Sequence, residues 1–523
     1  MKRLILILAT IGIIANIYSQ STMLWSKDFT TGLNSYPTIQ TIADTIKVIG
    51  SANIADGQKL LIINYDLKGD IISTKTYGDE SVSNNSIIDY KFDTTNHVYI
   101  LHSEQLEPYK SKIVLQKYSL NGDLVWVEQI QSLADTSYIP HSLGLINDDC
   151  LFIATYKEYD YHYPEPDDDV IIPPIRLSYL YAFSSVGNQL WRREFDPNIE
   201  LNLFINSIFV YNNTAFLFTV DNTSYTYKIV KVDTTNQLTM RSASDLQRGA
   251  NNIQLTPDNN LLITSGVDYR ITKMDMNGTV LWTQYYGTNL PHYTSGDRII
   301  STLQDSYGNI YITGKHYKEY SAPPNYTDIL TIKYDKNGNL IWQNRYEVND
   351  APSMGNTIVV KNGQVYVGGQ SQNDYIVLKI DSVSGITTGI YRHNEFANGN
   401  NAVSSLSVFD NGNVALTGLS NINFQYYWTT QLLSDIILSV QKISVEDNIK
   451  VYPNPVTRGE TLTIAGKGVN SYSIISAIGQ VVKQGQLGVN DLHTVQLDNI
   501  ETGIYFLYLK TDNEVLNRKI IVR

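Results

Sequence analysis

The sequence predicts an all-β protein: a β-propeller of four-stranded blades, followed by a small antiparallel immunoglobulin-like β-sandwich. Three observations carry this. A unit ending in Gly-x-x-x-Trp recurs through the middle of the chain. Short runs rich in Ile, Val, Tyr and Leu alternate with Asn-Gly and Gly-Asn pairs, without sustained 3.6-residue periodicity. The last repeat lacks its fourth strand, while the chain opens on a strand with no partners before it.

The elements follow in chain order. Met1, Lys2 and Arg3 precede an apolar run from Leu4 to Ile17 and then Tyr18-Ser19-Gln20. This is the layout of a secretory signal peptide, with cleavage expected between Ser19 and Gln20. The apolar run is shorter than the ~20 residues that a spanning helix needs. No later stretch approaches ~18 uninterrupted apolar residues, so no transmembrane helix is expected in the mature chain.

The repeat is seen by aligning Tyr118–Trp126 with Phe183–Trp191, Met274–Trp282 and Tyr334–Trp342; in each, Trp stands four residues after Gly. Copies without the Trp lie at Tyr65–Ser73, Val232–Met240 and Ile380–Gly389. The turn positions Gly69, Gly122, Gly187, Asn236, Gly278, Gly338 and Gly385 are spaced 53, 65, 49, 42, 60 and 47 residues apart. Those spacings bracket the ~40–50-residue period of propeller blades. An inner hairpin precedes each turn, as in Asp305–Gly314, Lys361–Gly369 and Asp410–Gly418. Asn and Gly tolerate the positive φ that tight hairpins require. For the sixth unit this predicts strands A to D at Arg298–Gln304, Asn309–Lys315, Ile329–Tyr334 and Leu340–Tyr346. The final unit has only A to C, at Ala402–Phe409, Asn413–Leu419 and Phe424–Leu432. Leu24–Phe29, Trp25 included, would complete it and close the ring without an unpaired edge. That makes eight blades, or seven if one degenerate unit does not form. Five of the six Trp residues fall on D strands, where a large ring fills the gap between blades.

The domains expected are therefore 1–19 signal peptide, 20–433 propeller, 434–449 linker and 450–523 sandwich. Charge supports the division: 450–523 carries a net +2, while the body between leader and tail carries −16 of the overall −12. An acidic body argues against a nucleic-acid partner, which needs a basic footprint. One Cys excludes an intramolecular disulfide framework and a thiolate zinc site. Charged residues are only 17%, so Asn, Ser, Thr and the 38 Tyr must supply much of the polar surface.

The body resembles propellers built from Asp-x-x-Gly-x-[LIV]-x-Trp units, including the pyrroloquinoline-quinone (PQQ) type and SBBP repeats. This is a fold-level likeness that carries no catalytic motif. The tail is more specific. It opens with Val451-Tyr-Pro453-Asn454-Pro455 and passes through Gly479. Near its end come Gly503-Ile-Tyr505-Phe and Lys519-Ile-Ile-Val522. Six or seven short strands are expected there. In order and spacing it resembles the type A C-terminal sorting domain of type IX secretion cargo in Bacteroidetes. Ser476-Ala-Ile-Gly479 departs from the family, which more often has Asp before the Gly. The resemblance implies engagement with the type IX machinery through Pro453, Asn454, Pro455, Gly479, Gly503, Tyr505, Lys519 and Val522. It implies passage through the periplasm to the cell surface or outside, removal of the tail, and release or attachment to lipopolysaccharide.

Candidate chemistry in the body is sparse. Asp275-x-Asn277-Gly278 and Asp335-x-Asn337-Gly338 look like calcium loops, but their twelfth positions are Tyr286 and Tyr346 rather than a bidentate Glu. Hairpin turns are the better reading. Three insertions fall between strands B and C: Glu104–Lys112, Glu158–Arg176 and His316–Asp328. Propeller topology places all three at one end of the ring. Glu165, Asp167, Asp168 and Asp169 are candidate Ca²⁺ ligands, set against a plain solvated acidic loop. No other cofactor is expected. No His-x-x-x-His pair and no Gly-x-Ser-x-Gly elbow occurs. Cys150, at the start of an inner strand, reads as a buried small residue. The function expected is a secreted or surface-displayed binding or adhesion propeller for a glycan, peptide or surface protein. The alternative is an enzyme, either a quinone-dependent oxidoreductase or a polysaccharide-active hydrolase; paired carboxylates from different blades would not show in sequence.

Overall fold

The computed structural model describes residues 23–434 and 449–523, except 32–34, 55–56, 79–84, 108–109, 131–136, 147, 159–175, 196–202, 212–213, 222–226, 243–249, 266–268, 287–296, 318–326, 348–351, 395–398, 423–424, 467, 477–480, 489 and 512–514. All regular structure among them is β-strand, and none of their segments is a helix long and apolar enough to cross a membrane. The described residues fall into two compact units, 23–434 and 449–523. Ser19 and Gln20, where cleavage is expected, lie outside the described residues, as does most of the segment read as linker. Ile449, read as the linker's last residue, packs into the core of the second unit.

In the first unit, eight four-stranded antiparallel sheets follow one another along the chain. Seven are consecutive, over residues 38–77, 85–130, 137–195, 203–242, 250–286, 298–346 and 353–393. The eighth joins residues 400–433 to Met23–Thr30, which pairs with Gln425–Leu433. Each sheet packs on the next, and the first packs on the eighth. The seven-or-eight alternative resolves to eight, with the degenerate units all forming blades.

The opening strand shows its identity through a bulge. In blades one, two, three, five and six, the register between strands C and D skips the residue just before the Trp position: Ile72, Val125, Leu190, Leu281 and Ile341. Met23–Thr30 skips Leu24, just before Trp25, in the same way. A bulge re-aims the side chains that follow it. Here it leaves the aliphatic residue exposed and turns the indole toward the neighbouring blade.

That indole explains the motif. Trp126 Nε1 donates to Ser185 O of the next blade at 3.0 Å, Trp191 to Thr234 O at 2.8 Å and Trp342 to Ser382 O at 3.0 Å. Trp25 does the same across the closure, to Leu67 O of blade one at 3.0 Å. Each turn that receives an indole, including the Gly338 turn under the Trp282 ring, is capped by its own Asp or Ser. Asp335 Oδ1, for example, accepts N–H from Asn337 and Asn339, both at 2.8 Å. Gly385 in the next turn has φ +72°, and a Cβ there would stand 2.7 Å from the Trp342 ring. Glycine meets both demands, the left-handed backbone and the close approach. Asp caps a turn, Gly receives the previous blade's Trp, and the blade's own Trp reaches the next Gly.

Trp428 departs from the pattern. It lies in strand C of blade eight, is buried, and donates from Nε1 to Ser35 O and Oγ at 3.2 and 3.1 Å. It fills the same closing joint against Gly50, so the closure holds two tryptophans.

The second unit is a seven-stranded sandwich. One sheet pairs Lys450–Tyr452, Thr461–Ala465 and Leu492–Gln496. The other orders Val481–Gln486, Val469–Ser476, Gly503–Thr511 and Val515–Val522. Leu462, Ile464, Ile474, Leu507, Leu509 and Ile520 form its centre.

Candidate functional sites

The candidate site residues gather at two places: the joined ends of the sandwich and the loop end of the ring. In the sandwich, Tyr452-Pro453 and Asn454-Pro455 are both cis, and the loop they shape lies along the last strand. Asn454 Nδ2 donates to Lys519 O at 2.7 Å, and its Oδ1 accepts Ile521 N–H at 2.9 Å. Val456 N–H then donates to Ile521 O at 2.8 Å, and Arg523 N–H to Val456 O at 2.9 Å. The carboxamide thus supplies both halves of a backbone-like pairing that neither proline can donate to. Behind it, Val456 and Val522 are buried as neighbours in a parallel bridge.

Tyr505 plants its ring in the core and donates its hydroxyl to Glu501 O at 2.9 Å. A Cβ on Gly503 would stand 3.4 Å from that ring. Of the residues nominated for sorting, Asn454, flanked by Pro453 and Pro455, therefore meets Lys519 on the strand that also carries Val522, with Gly503 and Tyr505 on the neighbouring strand. Gly479 lies outside the described residues.

At the loop end of the ring, two of the three insertions are shorter than the sequence implies. Strands B and C of blade two run on into theirs: Glu104 pairs with Lys112 and Glu107 with Lys110. The reading of Glu104–Lys112 as a loop is thus corrected to a hairpin extension. The Glu104–Lys112 ion pair, at 2.8 Å, braces it. In blade six, His316 pairs with Asp328 and Tyr317 with Thr327, so the insertion narrows to 318–326. In blade three, Glu158 pairs with Arg176, and 159–175 lies outside the described residues. Glu165, Asp167, Asp168 and Asp169 fall in that segment.

The roots of these loops hold buried charge that the sequence did not reveal. In blade six, Asp297 is buried just before strand A; its Oδ2 meets His316 Nδ1 at 3.0 Å and its Oδ1 accepts Tyr317 N–H at 2.8 Å. The His316 ring stands edge-on to Tyr286 of blade five, with centroids 6.0 Å apart. Asp328 is fully buried at the start of strand C, and its Oδ2 accepts both Nε and Nη2 of Arg345, at 2.8 and 2.6 Å. Blade seven repeats the device, with Arg392 Nε donating to Asp374 Oδ2 at 2.6 Å. Burial foremost, with Asp297 adding to it, raises the Tyr286 phenol despite the nearby Arg345. Each buried carboxylate here has a cationic or N–H partner, as a buried charge must.

Burial holds His102 down to about 4, so it is neutral at physiological pH. Burial, helped by Asp149, raises the Cys150 thiol to about 11, and Cys150 packs in the core of blade three. An unreactive thiol follows, since the thiolate is the nucleophile. Asp275 and Asp335 spend their carboxylates on the N–H groups of their own turns, as hairpin caps do. Among the described residues, no three His, Cys, Asp or Glu side chains cluster to hold a metal.

Residues 450–523 match the secretion system C-terminal sorting domain family. The tail is a type IX sorting domain, an address for export to the cell surface or beyond. An ulvan lyase of Nonlabens ulvanivorans is 26% identical over 116 residues, which span 22% of this chain and 21% of that one. The alignment thus spans about a fifth of that relative. Among solved structures, a quinohemoprotein alcohol dehydrogenase of Pseudomonas putida has a TM-score of 0.46 at 11% identity, over 85% of this chain and 80% of that one. The polysaccharide lyase Uly1 has a TM-score of 0.35 at 9% identity, over 77% and 90%. The eight-sheet ring rests on its own strand pairing.

Proposed function

We propose that the exported ring is a binding propeller. Its loop end would hold an extracellular glycan or a protein of the cell surface. The observation that carries this reading is the braced loop root. In blade six, the Asp297–His316 and Asp328–Arg345 contacts hold the ends of strands B and C where the insertion leaves the sheet. Recognition loops on a rigid scaffold are a common way to bind. The tyrosine-rich composition supplies flat area with a polar tip for such contacts. The ring's net negative charge disfavours acidic ligands. Ca²⁺ held by Glu165, Asp167, Asp168 and Asp169 would order the blade-three insertion.

In this reading residues 1–19 are removed between Ser19 and Gln20, and the tail delivers the ring to a Bacteroidetes cell surface. The ring is then released or attached to lipopolysaccharide. Mass spectrometry of secreted protein checks both ends: the mature chain should begin at Gln20. A glycan array probed with that protein, with and without Ca²⁺, tests the binding. Retention of a defined glycan, lost when 318–326 is replaced by a short Gly-Asn turn, is expected. Turnover of a polysaccharide or a redox dye with no retained ligand would instead make the chain an enzyme.

A further inference from the structure

An antiparallel sheet with one solvated face alternates apolar and polar residues, the apolar set pointing inward. The four-stranded sheet of the sorting domain does not. Its inward set, Ile474, Leu507, Leu509 and Ile520, is fully buried. At one end of the sheet the outward set is apolar too, beyond the Ser473, Tyr508 and Gln484 that face out in the next row. Ile504 and Ile521 face each other across the last two strands and are 46% and 36% exposed. Ile475 is paired with Phe506 on one side and with Val481, 50% exposed, on the other. An apolar row thus crosses all four strands at that end of the outer face, with exposed Lys519 beside Phe506 at its edge.

Such a row costs solubility and invites association, and natural sheets avoid it unless something covers it. Two features say what covers it. The unit belongs to a family whose purpose is to be read by a secretion machine. The row also ends on the strand that Asn454 clasps at Lys519 and Ile521, so the opening motif sets the position of this edge.

We propose that this outer face, from Val481 across Ile475 and Phe506 to Ile504 and Ile521, is the surface by which the type IX machinery receives the chain. The partner is a protein component of that machinery, offering an apolar strand or loop with a carboxylate opposite Lys519. The clasp makes the first and last motifs of the tail one composite surface, although they are more than sixty residues apart. Removing the last residues would therefore undo the first motif as well.

The test is export of the full-length chain from a bacterium with an intact type IX system. The double variant Ile504→Ser, Ile521→Ser should leave at least tenfold less protein on the surface and in the medium, with the balance held in the periplasm. Lys519→Glu, which alters only an exposed side chain, should lower export severalfold. It decides the matter if the double variant does not fold. Leu492→Ser, a change at a still more exposed residue on the other sheet, should export as the parent does. Thermal melts of periplasmic protein should match the parent for Lys519→Glu. Parental export of either the double variant or Lys519→Glu overturns the proposal. So does a parental dimer that the double variant dissolves while export stays intact, since the face would then be a self-interface.

Discussion

At the C–D turn end of the ring, neighbouring blades meet through a few recurring atoms: an indole N–H, a turn carbonyl and a glycine beneath the ring. At the opposite end neighbours differ. Blade six braces its loop with an Asp–His contact and an Asp–Arg fork, blade seven with an Asp–Arg pair, and blade two with a Glu–Lys pair across a long hairpin. The turn end is what the repeat encodes, because each joint must fit the next. The loop end is free of that constraint and can diverge toward a ligand. Even the turn end is uneven. Blades one, four and seven have no Trp to pass on, and at the first of these joints Lys75 Nζ donates to Leu120 O at 2.6 Å instead.

The difference between the ends can be broken or sharpened by experiment. Deleting Met23–Thr30 should have the largest effect. It strips strand D from blade eight, leaves Gln425–Leu433 as an open edge and removes the Trp25 contact to blade one. The loss should exceed the ~5–15 kcal/mol by which whole domains are stable. Size-exclusion chromatography and near-ultraviolet circular dichroism should show aggregation and no cooperative melt. Next, Trp342→Ala should cost about 3–5 kcal/mol by calorimetry, whereas Ile341→Ala, its exposed neighbour, should change stability by no more than ~0.5 kcal/mol. Equal effects would deny that the indole is the joint.

Gly385→Ala should follow at about 2 kcal/mol, from the strained φ and the clash with Trp342. Gly363→Ala has a similar φ, +71°, but nothing within 4 Å, so it isolates the backbone share and should cost less. The smallest effect is on acid stability at the turn end. Desolvation would raise Asp258, but the Lys273 ammonium at 2.8 Å, helped by Thr256 and Asn260, brings it down to about 2 from an ordinary 3.8. A carboxyl depressed on folding stabilises above its unfolded pKa and loses that stability as protons bind the native state. The chain's melting temperature should therefore fall between about pH 4 and pH 2, and Asp258→Asn should flatten the part of that fall it owns. Asp258 is half exposed, so its share is modest and screened by salt.

Much of the ring was legible because its information is local. The Asn-Gly turns and the Gly-x-x-x-Trp spacing lie within nine residues, and the orphan strand with its Trp25 announced the closure. The tail was legible through its prolines and its Gly-Ile-Tyr-Phe strand. What the sequence concealed is non-local. Asp297 and His316 are nineteen residues apart, and Asp328 and Arg345 seventeen, joined only once strands pair. The bulges, the role of Trp428 and the continuation of strands through Glu104–Lys112 depend on register, which composition does not reveal. Asn454 read as part of a motif; its bond to the last strand needed the sandwich to be closed.

The central claim is that the first strand closes the ring, which creates both ends at once. Ser26 and Gln431 are register partners across that closure, 405 residues apart. In a Cys150→Ser background, Ser26→Cys with Gln431→Cys should form a disulfide under mild oxidation. Non-reducing electrophoresis should show it as a faster band, and the melting temperature should rise. The control pair Ser26→Cys with Gln425→Cys, out of register, should stay reduced. Failure of the in-register pair to cross-link in folded, secreted protein would contradict closure by the first strand.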